Sequence, residues 1–240
     1  MYELNHSNSL ILNITHPWVI LFDIDGTLLT VDRKFNRPLL RSILDDLNID
    51  YPNMENEGFS GRTDHDILTS FLVNHGYDEV LYKELKAVYI DRITTQIKSD
   101  HVFRQPHIDE AIAYFDEIGS YMGLLTGNYP TAATAKLKVA NIHYEFSFGA
   151  FGEFDKDRNQ LPMLAIETVR QNLGIEPDPK KFVIIGDTPR DIECAKYAGM
   201  KSVAVTTGRF SKEELAPKGP DLILENLANP NIWFKELTSD

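Results

Sequence analysis

Trp18-Val19-Ile20-Leu21-Phe22-Asp23-Ile24-Asp25-Gly26-Thr27-Leu28 is the stretch around which the rest of the chain is organised. Trp18 to Phe22 is an apolar and aromatic run that reads as a strand buried on both faces, and two carboxylates one residue apart follow where it ends. Strand geometry sends Asp23 and Asp25 to the same side with Ile24 pointing away, and open α/β sheets gather ligands at the carboxyl ends of their strands. Two like charges held that close call for a cation. Gly26 permits a sharp turn with unusual dihedrals, and Thr27 brings a hydroxyl and a backbone N–H near the carboxylates. By itself, Asp-x-Asp-Gly-Thr also reads as an ordinary Asx-type turn. Two further strand ends of matching chemistry weigh against that reading.

A length of 240 residues with 42% apolar content suffices for one large domain, or for a core with a smaller insertion. Lys and Arg number 24 against 36 Asp and Glu, a formal charge of −12, which argues against a nucleic-acid-binding surface or an anionic membrane partner. An anionic substrate must then be attracted locally. The single cysteine, Cys194, excludes an internal disulfide framework and a multi-thiolate zinc site, and reads as a small buried helical residue. No apolar run approaches the ~20 residues of a membrane span. The apolar patch 10–14 is too short, and lacks the preceding basic residues, to serve as a secretory signal. The sequence reads as that of a cytoplasmic protein.

Residues 1–16 read either as a lead segment or as an extra edge strand. Leu39, Leu40, Ile43, Leu44 and Leu47 predict a helix over 36–49, with Pro38 near its first turn. Ile67, Leu68, Phe71 and Leu72 predict another over 64–75, and Leu81, Leu85, Val88, Tyr89, Ile93 and Ile97 a third over 79–98. No strand pattern separates them, so 32–106 reads as a small all-helical cap inserted into a core made of 1–31 and 107–240. Beyond it, strands expected at 121–125, 146–148, 182–185, 202–205 and 222–224 alternate with helices at 108–118, 130–139, 161–173 and 192–198. That alternation implies a Rossmann-like α/β core, a parallel sheet with helices on both faces and right-handed crossovers.

Three of these strands end in polar motifs: Asp23-x-Asp25, Thr126-Gly127-Asn128 and Gly186-Asp187-Thr188-Pro189-Arg190-Asp191. Parallel strands place all three at one edge of the sheet. Asp23, Asp25 and Asp187 supply carboxylate and carbonyl oxygens with no imidazole or thiolate, the ligand set of a hard cation such as Mg2+. Magnesium completes its octahedron with water and substrate phosphate, so a phosphorylated substrate is favoured. Thr126 and Gly127 offer a hydroxyl and close-approach N–H groups before a helix, a good place for phosphate oxygens, although Thr-Gly-Asn alone also suits a plain strand-to-helix turn. Asp191 suits an N-terminal capping role as well.

These residues resemble the haloacid dehalogenase-like (HAD) hydrolase superfamily, over about residues 18–210. Asp23-Ile24-Asp25-Gly26-Thr27-Leu28 resembles its first motif, Thr126-Gly127-Asn128 its second, and Gly186 to Asp191 its fourth. The resemblance implies that Asp23 is a nucleophile forming an aspartyl-phosphate, and that Asp25 is the acid for the leaving alcohol and then the base for water. It implies Thr126 as a phosphoryl-binding residue, with Gly127, Asn128 and Thr27 beside it. Magnesium would be held by Asp23, the Asp25 carbonyl and Asp187, with Asp191 in support. The basic residue of the third motif, usually Lys before Pro, has no direct counterpart. Arg158 is the first substitute, since it precedes a helix and can fork onto oxygens, and Lys156 is the alternative.

The inserted helices resemble the superfamily's small cap, which shields the reacting centre from water. Thr63 or Asp64 caps one of them, and Arg62 beside it reads either as a contact for a substrate's anionic end or as a surface charge. The expected activity is that of a magnesium-dependent phosphatase, phosphoglycolate phosphatase-like, acting on a small phosphorylated metabolite. A phosphosugar mutase of the same superfamily and a non-catalytic phosphometabolite-binding protein are the alternatives.

Overall fold

The computed structural model describes residues 16–52, 54–73, 76 and 78–239. The reading of residues 1–16 as lead or edge strand lies, but for His16, outside them.

At the centre is β1 (Val19–Phe22), each of whose residues is fully buried. It pairs in parallel with β4 (Tyr121–Thr126) on one side and β6 (Phe182–Gly186) on the other. With β5 (Phe148–Phe151), β7 (Lys201–Val205) and β8 (Leu222–Leu224) it forms a six-stranded parallel sheet of order β5-β4-β1-β6-β7-β8. Alternation along β1 divides its side chains between two layers. Ile20 and Phe22 face a cluster containing Phe115, Trp233 and Phe234, while Val19 and Leu21 face Leu161, Ala165, Val169 and Ala195. The first layer is built by α4 (Ile108–Glu117), α5 (Pro130–Val139) and α9 (Pro230–Thr238), the second by α6 (Leu161–Leu173) and α7 (Pro189–Tyr197). The expected α/β sandwich with helices on both faces is present.

Between β1 and β4 the chain leaves the sheet. β2 (Leu29–Val31) and β3 (Val102–Arg104) form an antiparallel ribbon, and between them lie α1 (Arg33–Asp46), α2 (Asp64–Phe71) and α3 (Glu79–Gln96). The apolar faces of these helices, Leu39, Leu68, Leu85 and Ile93 among them, join the same buried cluster as Phe22. No helix among the described residues is long and apolar enough to cross a membrane.

Several local expectations need correction, the first of them the helix expected over 36–49, which runs over Arg33–Asp46 and so holds Pro38 in its second turn. The stretch 32–106 is not all-helical, because β3 closes the ribbon through backbone pairing that three residues of unremarkable pattern do not announce. The strand expected at 146–148 runs instead over Phe148–Phe151. Phe146 packs edge-on against Phe22 at 6.0 Å, and ladder pairing with β4 begins only at Gly123 opposite Phe148. The helix expected from 192 begins at Pro189, because Thr188 accepts the Asp191 N–H while the Asp191 carboxylate accepts the Thr188 N–H at 2.9 Å, a reciprocal capping box.

Candidate active site

The register brings the three polar strand ends together. Phe22 is level with Leu124 and Ile185, so the next residues of all three strands emerge at one edge. The Asp23 N–H donates to the Ile185 carbonyl at 2.9 Å, which carries the sheet one step further before the chain turns at Gly26, whose φ is 95°. A Cβ on Gly26 would overlap the Asp187 carboxylate, so only glycine lets the turn press against that strand end.

Asp23 is 3% exposed, and burial pushes its carboxyl up to about 6 against the opposing pull of Arg158. The Arg158 guanidinium lies 3.0 Å from Asp23 Oδ1 and 2.5 Å from Asp191 Oδ1. Burial disfavours its charge, but Asp191 and Asp23 outweigh this and keep Arg158 protonated. Arg158 is thus the basic side chain in contact with Asp23, whereas Lys156 is exposed and offers its backbone carbonyl to Thr63 Oγ1 at 3.0 Å.

Asp25, with a side chain 39% exposed, is held differently. Its Oδ2 accepts from Lys136 Nζ at 2.6 Å and from Asn128 Nδ2 at 2.7 Å. Asn128 also donates to Thr126 Oγ1 at 2.8 Å and accepts from Lys136 at 2.5 Å, so the second strand end is a closed polar network. Lys136 is 6% exposed and escaped the sequence reading. The usable signal is its place on the buried stripe Ala132, Ala133, Lys136 of α5, where a lysine needs an anionic partner.

Asp187 is 3% exposed, and burial, reinforced by Asp191 and Asp23, holds its carboxyl well above the ordinary carboxylate range. Its Oδ1 is buried with no hydrogen-bond partner among the described residues, as is the Thr27 hydroxyl. One oxygen each of Asp23, Asp187 and Asp191 lie within 4.8 Å of one another. Asp191 spends its oxygens on Arg158 and Thr188, while Asp187 keeps one open beside Asp23. An all-oxygen set with an orphaned buried carboxylate oxygen fits a hard divalent cation. The Asp25 carboxylate is not in this group, and Asp191 stands in it instead. Gly208, after β7, also escaped the sequence reading: a Cβ there would overlap Asp187 Oδ2, and the neighbouring Thr207 hydroxyl donates to the Gly26 carbonyl at 2.6 Å.

The helical insertion closes the other side of a cavity of about 720 Å3. Thr63 is the N-cap of α2, and Asp64 instead turns into the junction. Asp64 Oδ2 accepts the Tyr129 N–H at 2.8 Å, its own N–H donates to the Gly127 carbonyl at 2.7 Å, and burial pushes its carboxyl up to about 6. A Cβ on Gly127 would overlap the Arg62 carbonyl, so the insertion rests directly on the second strand end. Arg62 lines the cavity, but its guanidinium is paired with Glu57 at 3.0 Å and Asp66 at 2.6 Å. His6 and His75 lie outside the described residues, and none of the described histidines takes part in the acidic group.

The chain resembles known proteins in sequence and in fold. The sequence pattern of the family described as haloacid dehalogenase-like hydrolase matches residues 20–205. The chain is 25% identical to the pyrophosphatase PpaX of Anoxybacillus flavithermus, over 88% of this chain and 93% of that protein. It is 31% identical to the phosphoglycolate phosphatase of Salmonella choleraesuis over 137 residues, 57% of this chain and 53% of that protein. Among solved structures, a predicted phosphatase from Clostridium acetobutylicum superposes with a TM-score of 0.70 at 19% identity, covering 92% of this chain and all of that one.

Proposed function

The chain belongs to the haloacid dehalogenase-like hydrolase family, and on that premise we propose that it is a magnesium-dependent phosphatase. Its substrate is a small phosphorylated metabolite, hydrolysed through an aspartyl-phosphate on Asp23. One observation carries the reading: Asp23 is buried against the Arg158 cation, while Asp25, two residues on, is half-exposed and held by Lys136 and Asn128. Two carboxylates in contrasting environments suit two roles, nucleophile and proton carrier. The names of the phosphatase relatives support it.

In the first half-reaction an Asp23 oxygen attacks phosphorus as the bond to the leaving oxygen breaks, and Asp25 gives that oxygen its proton. In the second, Asp25 takes a proton from the water that attacks phosphorus, the bond to Asp23 breaks, and inorganic phosphate leaves. Lys136 and Asn128 bind Asp25 Oδ2, which leaves Oδ1 as the proton-carrying atom. Arg158 holds Asp23 in its ionised, attacking form. The Thr126 hydroxyl and the N–H groups of Gly127 and Asn128 receive phosphoryl oxygens, while the Thr27 hydroxyl is buried and Thr27 does not line the cavity. Asp23, Asp187 and the Asp25 carbonyl are the residues that would hold Mg2+, which when bound supplies positive charge against the phosphoryl oxygens. Residues 32–106 act as a cap over the core formed by 1–31 and 107–240, and exclude bulk water from the acyl phosphate.

The test is hydrolysis of an aryl phosphate by wild type and by Asp23→Asn, with magnesium and with chelator. Magnesium-dependent turnover that Asp23→Asn abolishes is the expected result. A wild type that is inactive with magnesium bound, or an Asp23→Asn variant of undiminished rate, would overturn the reading. Turnover only in the presence of a sugar bisphosphate would mark a mutase instead.

A further inference from the structure

The charges on the cavity wall do not cancel evenly. Asp23 is committed to Arg158, Asp25 to Lys136, Glu57 to Arg62, and Asp64 to the Tyr129 N–H, while Asp187 belongs to the acidic group with Asp23 and Asp191. Arg37 is spent on the carbonyls of Met54 and Glu57. Two cations lining the cavity remain, Arg33 and Arg209, and neither has a carboxylate partner among the described residues. Asp32, the acidic neighbour of Arg33, caps α1 by accepting the Lys34 N–H at 2.8 Å. The Arg209 guanidinium rests over the ring of its own neighbour Phe210, 5.0 Å from its centre.

The backbone brings these two arginines to one flank. Arg33 opens α1 three residues after Thr30 of the ribbon, and Arg209 follows Thr207 in the loop after β7. The Gln105 side-chain amide ties the two segments together, donating to Thr30 Oγ1 at 2.7 Å and to the Thr207 carbonyl at 3.2 Å. Thr207 in turn donates to the Gly26 carbonyl, so the same flank is anchored to the turn that follows Asp25. Guanidiniums that line one cavity on segments tied in this way attract an anion, and neither is neutralised by a carboxylate partner among the described residues.

We propose that Arg33 and Arg209 form a second anion subsite, so that the substrate is a phosphomonoester carrying a second anionic group, a carboxylate or another phosphoryl group, on a short backbone. The proposal rests on the phosphatase reading for the phosphoryl end only. It moves recognition of the far end from Arg62, already neutralised by Glu57 and Asp66, to a pair contributed by the insertion and the core together. A ligand that bridges that pair joins the two parts of the molecule.

The experiment is calorimetric binding of non-hydrolysable phosphonates to the full chain, with magnesium and with chelator. Methylphosphonate has no second anion, phosphonoacetate adds a carboxylate, and methylenediphosphonate adds a phosphoryl group. At least one of the latter two is expected to bind about tenfold or more tightly than methylphosphonate, and which one does identifies the second anion. Arg33→Met with Arg209→Met is expected to remove that preference, and each single substitution to remove part of it. Both side chains are exposed, so an unaltered melting curve verifies that the double variant is folded. Equal binding of all three phosphonates overturns the subsite, and so does a preference that survives the double substitution. Selective binding without turnover of any phosphate ester would remove the phosphatase reading and leave the subsite standing.

Discussion

At the scale of single residues the site is governed by what burial does to charge. Among the described residues Arg158 is the one cation between Asp23 and Asp191, and all three are nearly inaccessible. Arg158→Met strands two buried carboxylates. It is expected to cost about 3–5 kcal/mol in denaturant unfolding and about a hundredfold or more in turnover, with Arg158→Lys between it and wild type because a single ammonium cannot span both partners. Asp64 gives a prediction of opposite sign. Its native carboxyl holds its proton to about 6, where the ordinary value is 3.8, with burial as the main cause. Between those values the native state binds a proton that the unfolded chain has released, so stability falls as pH rises through that window. At about 1.4 kcal/mol for each pH unit the full cost is about 3 kcal/mol. Asp64→Asn keeps an acceptor for the Tyr129 N–H and has nothing to ionise. Unfolding curves are expected to show it level with wild type at pH 4 and below, and about 2–3 kcal/mol more stable at pH 7.

At the scale of elements, glycines set how closely the loops approach. Gly26 and Gly208 come from turns after different strands, and both abut the Asp187 carboxylate. Gly208→Ala inserts a methyl group where the carboxylate oxygen stands, with no positive φ to complicate its effect. The side chain must swing away from Asp23, and the magnesium concentration needed for half-maximal turnover is expected to rise about tenfold or more. Gly199→Ala is the contrasting variant: a Cβ there meets nothing within 4 Å, though its φ of 68° adds strain. It is expected to lower the melting temperature without altering the magnesium requirement. Capping acts at the same scale. The Thr188–Asp191 box both starts α7 and turns Asp191 toward Arg158, so one short-range motif sets helix boundary and site geometry together.

For the whole molecule, a cation that binds the folded site and not the unfolded chain must stabilise it. At a hundred times its dissociation constant, magnesium is expected to add about 2.7 kcal/mol, about 5–10 °C in melting temperature for a chain of this size. Asp187→Asn is expected to abolish that shift. The sequence by itself determined the central strand, the alternation of strands and helices, and hence the parallel sheet that brings Asp23, Thr126 and Asp187 to one edge. Those features depend on apolar runs and periodicities only a few residues long. The short-range pattern misled at Phe146, whose ring was drawn to Phe22, and at β3, which exists only because β2 lies beside it. Arg158 stands out in the sequence only as a candidate before a helix, and which groups pair with which in the site was decided by tertiary structure. Lys136 reaches Asp25 across 111 residues of chain, Arg158 reaches Asp191 across 33, and Gly208 owes its importance to a carboxylate on another strand. A buried charge takes whatever opposite charge the packed fold brings within reach, and no local periodicity records which one that is.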